Sequence, residues 1–251
     1  MLKRTITAII LIALVIGTLM LGQEAFTWLL RVILLISGYE IYRIKKDVWP
    51  SFLLVYIYLM LLLSHLNIPV VSLISLALIL TLTLTIVSTK ISFADAAFLF
   101  LMLSIIILGI NAVNSIMQLP IQVFAYIAIA TYATDTFAYF GGSFFGKRKL
   151  IERISPNKTV EGAIIGTVGS MIASLIFAYY FVDLDFSIIL IGSILMPLVA
   201  QVGDLSFSLV KRTFNIKDFG TLLPGHGGVL DRVDSVLFTL IFFNAVLTYF
   251  V

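Results

Sequence analysis

The sequence contains no cysteine and little charge, and each shortage excludes a class of protein. Without cysteine the chain has no disulfide bond, no thiolate metal site and no cysteine nucleophile. Charged residues make up 12% of its 251 residues and hydrophobic residues 61%, so it is too apolar for a soluble domain of this size. The formal net charge is only +3, and we expect no nucleic-acid partner.

Apolar stretches recur along the whole chain at about the length that crosses ~30 Å of hydrocarbon. They show no alternation of apolar and polar residues, so they are predicted to be helices rather than barrel strands. The sequence therefore predicts an all-α polytopic membrane protein with no soluble domain. About nine transmembrane helices are predicted, at Thr5–Gly22, Phe26–Ile41, Pro50–His65, Val70–Thr89, Ala96–Asn111, Pro120–Phe140, Thr159–Val182, Ile188–Val210 and Val229–Val251.

The basic residues lie almost entirely on one side of these predicted spans. With a cytoplasmic N-terminus, fifteen of the sixteen lysines and arginines fall in cytoplasmic connections, beginning with Lys3 and Arg4, and the opposite connections contain none. This asymmetry is what the positive-inside rule predicts. The sixteenth, Arg31, lies inside the second span, where we expect it to reach the outer interface or to pair within the bundle.

The polar motifs divide the chain into two regions. Residues 1–115 are predicted to form N-terminal transmembrane helices without chemical motifs, although Glu40 is expected to have a structural role near the end of the second helix. Residues 116–251 are predicted to form a transmembrane catalytic region with two long cytoplasmic loops, 141–158 and 211–228. No internal repeat supports a transporter built from inverted repeats.

One helix carries a stripe of four polar residues at helical spacing: Asp204, Ser208, Lys211 and Arg212. The stripe runs from an acid inside the membrane to two cations at its surface. An ionised aspartate at the bilayer centre costs at least ~2.5–3.5 kcal/mol, so such residues usually have a function. The order suits a carboxylate-held metal beneath cations that bind phosphate. An intrahelical salt-bridge ladder that neutralises Asp204 explains the stripe equally well.

Further acids lie near predicted helix ends. Asp231 and Asp234 share a face in the first turn of the last helix, with Arg232 between them. The helix dipole favours acids there, which explains one acid by capping but explains two acids and an arginine less well. Asp135, in the sixth span, is open to three interpretations: a ligand, a polar clamp between helices or a neutral buried acid.

The segment "KDFGTLLPGHGG" precedes that last helix. Gly225, Gly227 and Gly228 allow backbone conformations that other residues avoid, and their N–H groups could cradle phosphates. His226 could donate a hydrogen bond to a phosphate, although turn packing also explains a lone loop histidine.

The other long loop reads "GKRKLIERISPNKTVEG". Ser155 and Pro156 are predicted to be the N-cap and first residue of the seventh helix, with Lys158 in its first turn. A lysine there opposes the helix dipole, so we expect an anion nearby. Topology and contact with anionic lipid offer a competing explanation, which suits the preceding basic residues best: Lys147, Arg148 and Lys149.

These pieces suggest one composite site at the cytoplasmic boundary, with carboxylates for a divalent metal and with cations and glycines for phosphate. Magnesium binds through one or two carboxylates together with substrate phosphates, so phosphate chemistry at the lipid surface is expected.

The segment "SLVKRTFNIKDFGTLLPGHGGVLDRVD" resembles the defining motif of phosphatidate cytidylyltransferases, also called CDP-diacylglycerol synthases. The resemblance extends through "SPNKTVEG" and "DTFAYFGG" and covers about the C-terminal half of the chain. Members of this family are multi-helix membrane enzymes that join CTP and phosphatidic acid into CDP-diacylglycerol and release pyrophosphate. The resemblance implies an integral protein of the bacterial inner membrane whose active site faces the cytoplasm, surrounded by membrane lipids. A homodimer is compatible with it.

The resemblance also implies a role for each matching residue. Asp204 and Asp231 would hold Mg²⁺, together with a second cation such as K⁺. Residues expected to act in catalysis are Asp204, Lys211, Arg212, Asp231 and Asp234. Residues expected to bind substrate are Ser208, Lys217, Asp218, His226, Gly227, Gly228, Arg232, Lys158 and Asp135. The alternatives are a CTP-dependent transferase acting on another lipid phosphate, a cation transporter and a non-catalytic scaffold.

Overall fold

The computed structural model describes residues 2–66 and 68–250, except for the side chains of residues 2–6 and 8. The predicted end of the last span at Val251 and the side chains of Lys3 and Arg4 lie outside the described part. Within that part the chain forms nine α-helices and two short strands. In order they are α1 (Leu2–Met20), α2 (Gln23–Arg43), α3 (Phe52–Leu63), α4 (Val70–Val87), α5 (Phe93–Ile116), α6 (Ile121–Phe145), β1 (Lys149–Ile151), β2 (Ser155–Thr159), α7 (Val160–Phe181), α8 (Phe186–Thr213) and α9 (Leu230–Phe250).

Six of the described helices are long and apolar enough to cross a membrane: α2, α4, α5, α7, α8 and α9. Shorter apolar helices are Ile9–Met20, within α1, and Phe52–Leu63, which is α3. Each predicted span falls on one helix, so the prediction of an all-α membrane protein is confirmed. The number of spans and the side on which the N-terminus lies stay predictions.

The segment before α7 differs from the prediction. Strands β1 and β2 pair antiparallel, with Lys149 opposite Thr159 and Ile151 opposite Ser155. The predicted helix start at Ser155 and Pro156 is therefore wrong, because the backbone there pairs in a hairpin. The predicted loop is also shorter than expected, since α6 continues to residue 145.

The true start of α7 explains where Lys158 lies. Thr159 is the N-cap, and its side-chain oxygen accepts a hydrogen bond from the Gly162 N–H at 3.1 Å. Lys158 is thus in β2, directly before the cap, and not in the first helical turn. Ser155, the predicted cap, lies four residues before Thr159, and its backbone pairs with β1 instead of starting the helix.

The chain divides into two compact units. The first unit comprises Met1–Asn114 and Ile216–Arg232, and the second comprises Ser115–Asn215 and Val233–Val251. Each unit contains several of the apolar helices and some of the polar segments.

In the first unit, polar side chains inside the helices find partners on other helices. Arg31 of α2 donates two hydrogen bonds to Asn114 Oδ1, at 3.0 and 2.8 Å, and its guanidinium lies 4.8 Å from the centre of the Trp28 ring. Lys45 forms an ion pair with Asp95 near the start of α5. Arg31 thus pairs within the bundle, which was one of its two expected roles.

In the second unit, small residues bring α6 and α7 close together. A Cβ atom added to Gly166 would lie 2.8 Å from Ala138 Cβ and 2.8 Å from the Thr134 carbonyl oxygen. The contact between the two helices is therefore backbone against backbone, as is typical of membrane helices with small residues at their interface. The Tyr126 hydroxyl donates a hydrogen bond to Ile189 O at 2.8 Å and so joins α6 to α8.

We expect Gly166→Ala to lower the free energy of unfolding by about 1–3 kcal/mol, because the added methyl group has no space and a backbone carbonyl cannot move away freely. The measurement is the thermal unfolding midpoint of the purified protein in detergent. Gly17→Ala is the matched control, since a Cβ there would have no atom within 4 Å. Equal midpoints for both variants would contradict the close packing of α6 on α7.

Candidate functional site

A cavity of about 650 Å³ lies in the second unit, where the hairpin meets α6, α7 and α8. We call it the hairpin cavity. Three of the predicted site residues line it: Asp135, Lys158 and Asp204. Much of the remaining lining is small, which leaves the space open. These further lining residues include Ala138, Gly142, Gly146, Gly162 and Ala163, with Tyr139 and Gln201 as larger members.

Lys158 and Asp204 form an ion pair at this cavity. Their side chains are 28% and 24% exposed, so water screens the pair only in part. Ser208, one turn further along α8, donates a hydrogen bond to Asp204 Oδ1 at 3.5 Å. The carboxylate of Asp204 is thus one anion beside Lys158.

The top of the polar stripe on α8 contacts the hairpin. Arg212 Nε donates a hydrogen bond to the Ile154 carbonyl oxygen in the hairpin turn at 3.2 Å. Asp204, eight residues earlier, pairs with Lys158 of β2. The stripe therefore binds the hairpin at both of its ends. An intrahelical ladder does not describe these two contacts.

Two further acids interact with Asp204. Asp135 of α6 and Asp234 of α9 each interact electrostatically with Asp204, while Lys158 and Lys211 supply opposite charge. Asp234 Oδ1 also accepts a hydrogen bond from the Ser235 N–H at 2.8 Å. Three carboxylates and two lysines from four elements thus share one electrostatic environment in the second unit.

The second cavity, of about 670 Å³, lies in the first unit within the segment before α9. We call residues 217–229 the motif loop and this space the loop cavity. Five predicted site residues line it: Lys217, Asp218, His226, Gly227 and Arg232.

The motif loop folds into a tight turn. The Leu223 N–H donates to Gly227 O at 3.0 Å, and the His226 N–H donates to Leu223 O at 2.9 Å. Gly225 and Gly227 have φ of 78° and 84°, which L side chains rarely adopt. The unusual backbone predicted for three glycines is therefore present at Gly225 and Gly227, but Gly228 has no positive φ.

Two of the predicted site residues, His226 and Arg232, are in contact at this turn. Arg232 donates through Nε and Nη2 to the carbonyl oxygen of His226, at 3.0 and 2.7 Å. The Nδ1 atom of the His226 ring is buried and has no hydrogen-bond partner in the described part of the chain. A buried polar atom without a partner is costly, so this nitrogen is a candidate contact for a ligand.

Asp231 closes the base of the motif loop. Its Oδ2 atom accepts hydrogen bonds from the Phe219 N–H at 2.8 Å and the Gly228 N–H at 3.0 Å. The Glu40 carboxylate of α2 binds the next two N–H groups, at Val229 and Leu230. A structural role was expected for Glu40, but its partners were not predicted, because no local pattern links residues so far apart in the chain.

The predicted site residues fall into two groups. The second unit contains Asp135, Lys158, Asp204, Ser208, Lys211, Arg212 and Asp234, and the first contains Lys217, Asp218, His226, Gly227, Gly228, Asp231 and Arg232. The sequence did not single out Gln201, whose amide donates to Ala163 O and Thr167 Oγ1 and joins α8 to α7 beside the hairpin cavity. The sequence feature that could have identified Gln201 is a polar glutamine inside an otherwise apolar helix.

The acidic residues have the chemistry that a magnesium site needs. Mg²⁺ prefers oxygen ligands and is commonly held by one or two carboxylates while substrate phosphates and water complete its shell. Among residues 2–66 and 68–250, no group of three or more His, Cys, Asp or Glu side chains could hold a metal ion by itself. Asp204 and Asp231 are the two carboxylates expected to hold the ion. Their convergence on one ion stays a prediction.

Comparison with known proteins identifies one family and several bacterial relatives that share one name. Residues 2–250 match the model of a family described as the cytidylyltransferase family. Proteins named phosphatidate cytidylyltransferase are 47% identical over 124 residues in Staphylococcus aureus (strain COL), 44% identical over 124 residues in Staphylococcus haemolyticus (strain JCSC1435) and 41% identical over 126 residues in Bacillus subtilis (strain 168). These alignments cover 49–50% of this chain and 47% of each relative, so the chain spans about half the length of the curated relatives it matches.

A double-mutant cycle tests the ion pair at the hairpin cavity. We expect Lys158→Met and Asp204→Asn to show a coupling of about 1 kcal/mol in the free energy of unfolding, because each change removes the other residue's partner in a half-buried place. The measurement is denaturant or thermal unfolding of both single variants and the double variant. Lys147→Met, at an exposed position, serves as the control and should show no coupling to Asp204→Asn. Additive effects of Lys158→Met and Asp204→Asn would contradict the pair.

Proposed function

Because the chain belongs to the cytidylyltransferase family, we propose that it is a phosphatidate cytidylyltransferase, which joins CTP and phosphatidic acid into CDP-diacylglycerol and releases pyrophosphate. The observation that carries this proposal is the family match over residues 2–250. The name shared by the relatives supports phosphatidate as the acceptor. The six long apolar helices support a substrate that resides in the membrane.

The proposed reaction is a phosphoryl substitution without a protein nucleophile. An oxygen of the phosphatidic acid phosphate attacks the α-phosphorus of CTP and forms the new P–O bond. The bond from the α-phosphorus to the oxygen that bridges to the β-phosphate breaks, and pyrophosphate leaves with the electron pair. The enzyme contributes position and positive charge, because the reacting groups repel one another and carry their own nucleophile and leaving group.

We assign the lipid phosphate to the hairpin cavity. Lys158 and Tyr139 line this cavity, and the small residues of α6 and α7 leave room for a headgroup. Aromatic side chains near the end of α6 are largely exposed, including Tyr139 at 70% and Phe144 at 75%. Such side chains suit the boundary between lipid and water, which supports entry of the lipid from the side. Lys211 and Arg212 would add positive charge at the same level.

We assign phosphates of CTP to the loop cavity. Lys217 and Arg232 line it and provide positive charge, and the turn at Gly227 lets a ligand approach the backbone. The unpartnered Nδ1 of His226 supports a hydrogen bond to the nucleotide. Asp218 lines the same cavity and would orient the lysine or a bound group.

In this proposal Asp204 and Asp231 hold Mg²⁺, with Asp234 as a supporting acid and with K⁺ as a second cation. When bound, the metal supplies positive charge that offsets the charge of the phosphates. The charge asymmetry of the sequence supports an active site on the cytoplasmic side of the bacterial inner membrane, the side on which CTP is available.

An assay of the purified protein tests the proposed function. Protein in detergent or nanodiscs, incubated with labelled CTP, phosphatidic acid and Mg²⁺, should form labelled CDP-diacylglycerol and pyrophosphate in equal amounts. A chelator should abolish the product. A panel with ether-linked and polyprenyl phosphates separates phosphatidate from other acceptors. Ion flux through reconstituted protein without any CTP-dependent product would instead support a transporter.

We expect Asp231→Asn to lower turnover at least about a hundredfold, because the substitution removes a charge expected to bind the metal, and catalysis of this kind depends mainly on charge. The fold should persist, since asparagine keeps an oxygen that can accept the Phe219 and Gly228 N–H groups. The measurements are kcat and the thermal midpoint. Asp183→Asn is the control, because Asp183 is exposed and lies in the connection between α7 and α8. Full activity of a folded Asp231→Asn variant would refute the metal role.

A further inference from the structure

Glu40 lies in the region where the sequence shows no chemical motif, yet its two carboxylate oxygens bind the last residue of the motif loop and the first residue of α9. The residue is 2% exposed. Oε1 accepts a hydrogen bond from the Val229 N–H at 2.8 Å, and Oε2 accepts one from the Leu230 N–H at 2.7 Å. These partners lie 189 and 190 residues further along the chain, so the contact fixes tertiary structure rather than α2 itself.

The two N–H groups belong to the start of α9. The first N–H groups of any helix lack partners within that helix and need a cap. Val229, which directly precedes α9, has no side-chain oxygen that could serve as one. Glu40 supplies the cap from a different helix, and its negative charge lies where the dipole of α9 is positive. The start of α9 therefore depends on α2.

Two glycines of the motif loop leave the space that this carboxylate occupies. A Cβ atom at Gly228 would lie 2.5 Å from Glu40 Oε1 and 2.6 Å from Gly220 N. A Cβ atom at Gly220 would overlap the same carboxylate oxygen. Neither glycine has a positive φ, so lack of space accounts for the missing side chains. The fit of Glu40 is therefore a structural reason for a glycine at position 228, in addition to the predicted role of Gly228 in binding substrate.

The position of Asp231 is coupled to this contact. Asp231 binds the Gly228 N–H, and Glu40 binds the N–H groups of the next two residues, so the two acids divide three consecutive amides. The acids also interact electrostatically with each other. Arg43, about one turn after Glu40 in α2, donates a hydrogen bond to Thr221 Oγ1 at 3.0 Å. This bond is a further contact between α2 and the motif loop.

We propose that Glu40 is a positioning residue, which fixes the start of α9 and thereby sets the places of Asp231 and Arg232 without touching a substrate. Its effect on turnover rests on the proposed function. Its effect on the motif loop does not. A test therefore needs one readout of the loop and a separate readout of the reaction.

The decisive variant is Glu40→Gln in the full-length protein. Glutamine keeps one acceptor oxygen but turns an NH₂ group toward a backbone N–H, which leaves at least one buried donor unpaired. We expect hydrogen–deuterium exchange in residues 217–232 to become at least about tenfold faster, as is typical when one buried hydrogen bond is lost. We expect kcat for CDP-diacylglycerol formation to fall by a similar factor, with a smaller change in KM for phosphatidic acid.

Two further variants separate positioning from general stability. Glu40→Asp keeps both acceptor oxygens on a shorter side chain and should recover part of the loop protection and part of kcat. Glu24→Gln makes the same chemical change at an exposed position of α2 and should alter neither.

The proposal is overturned if Glu40→Gln leaves exchange in the motif loop at the wild-type rate. It is also overturned if exchange rises equally in all helices while kcat, corrected for the folded fraction, stays constant, because Glu40 would then only stabilise the bundle. If the wild-type protein forms no liponucleotide, the proposed function fails. The exchange comparison would still decide whether Glu40 holds the loop.

Discussion

A polar group without a partner is expensive in apolar surroundings, whether it is a backbone N–H or an ionised side chain. Most polar residues inside this chain therefore lie where a second polar group meets them. Arg31 reaches Asn114, Lys45 reaches Asp95 and Lys158 reaches Asp204. Glu40 satisfies two amides at once. Each pair joins segments that are distant in sequence, so the same requirement that neutralises the polar groups also fixes how the helices assemble within each unit.

In the proposed enzyme these pairs have a second consequence, because the cations meant for phosphate already have partners in the protein. Lys158 is paired with Asp204, and Arg232 binds the carbonyl oxygen of His226. A phosphate must compete with these contacts, which favours a ligand of high charge over one of low charge. Partners within the protein also hold the side chains in defined positions before substrate arrives, so less conformational freedom is lost on binding.

The sequence was sufficient for the parts of the structure that follow from local pattern. Long apolar stretches predicted the nine helices found among the described residues, and glycines predicted the unusual backbone at Gly225 and Gly227. The hairpin at residues 149–159 was missed because its strands are short and polar, and pairing between them leaves no period in hydrophobicity. The partners of Glu40 were missed for a different reason. A contact across 189 residues depends on the assembled fold, and a single buried acid does not indicate which amides it will bind.

The fit of Glu40 between Gly220 and Gly228 links three positions in evolution. A side chain larger than hydrogen at either glycine collides with the carboxylate, so it can be accepted only after residue 40 has become smaller. Loss of the carboxylate, in turn, leaves the front of α9 uncapped until a serine, threonine or aspartate replaces Val229. Among homologous chains a larger residue at either glycine should therefore occur only together with a smaller residue at position 40, and a new cap at position 229 must arise before the carboxylate is lost.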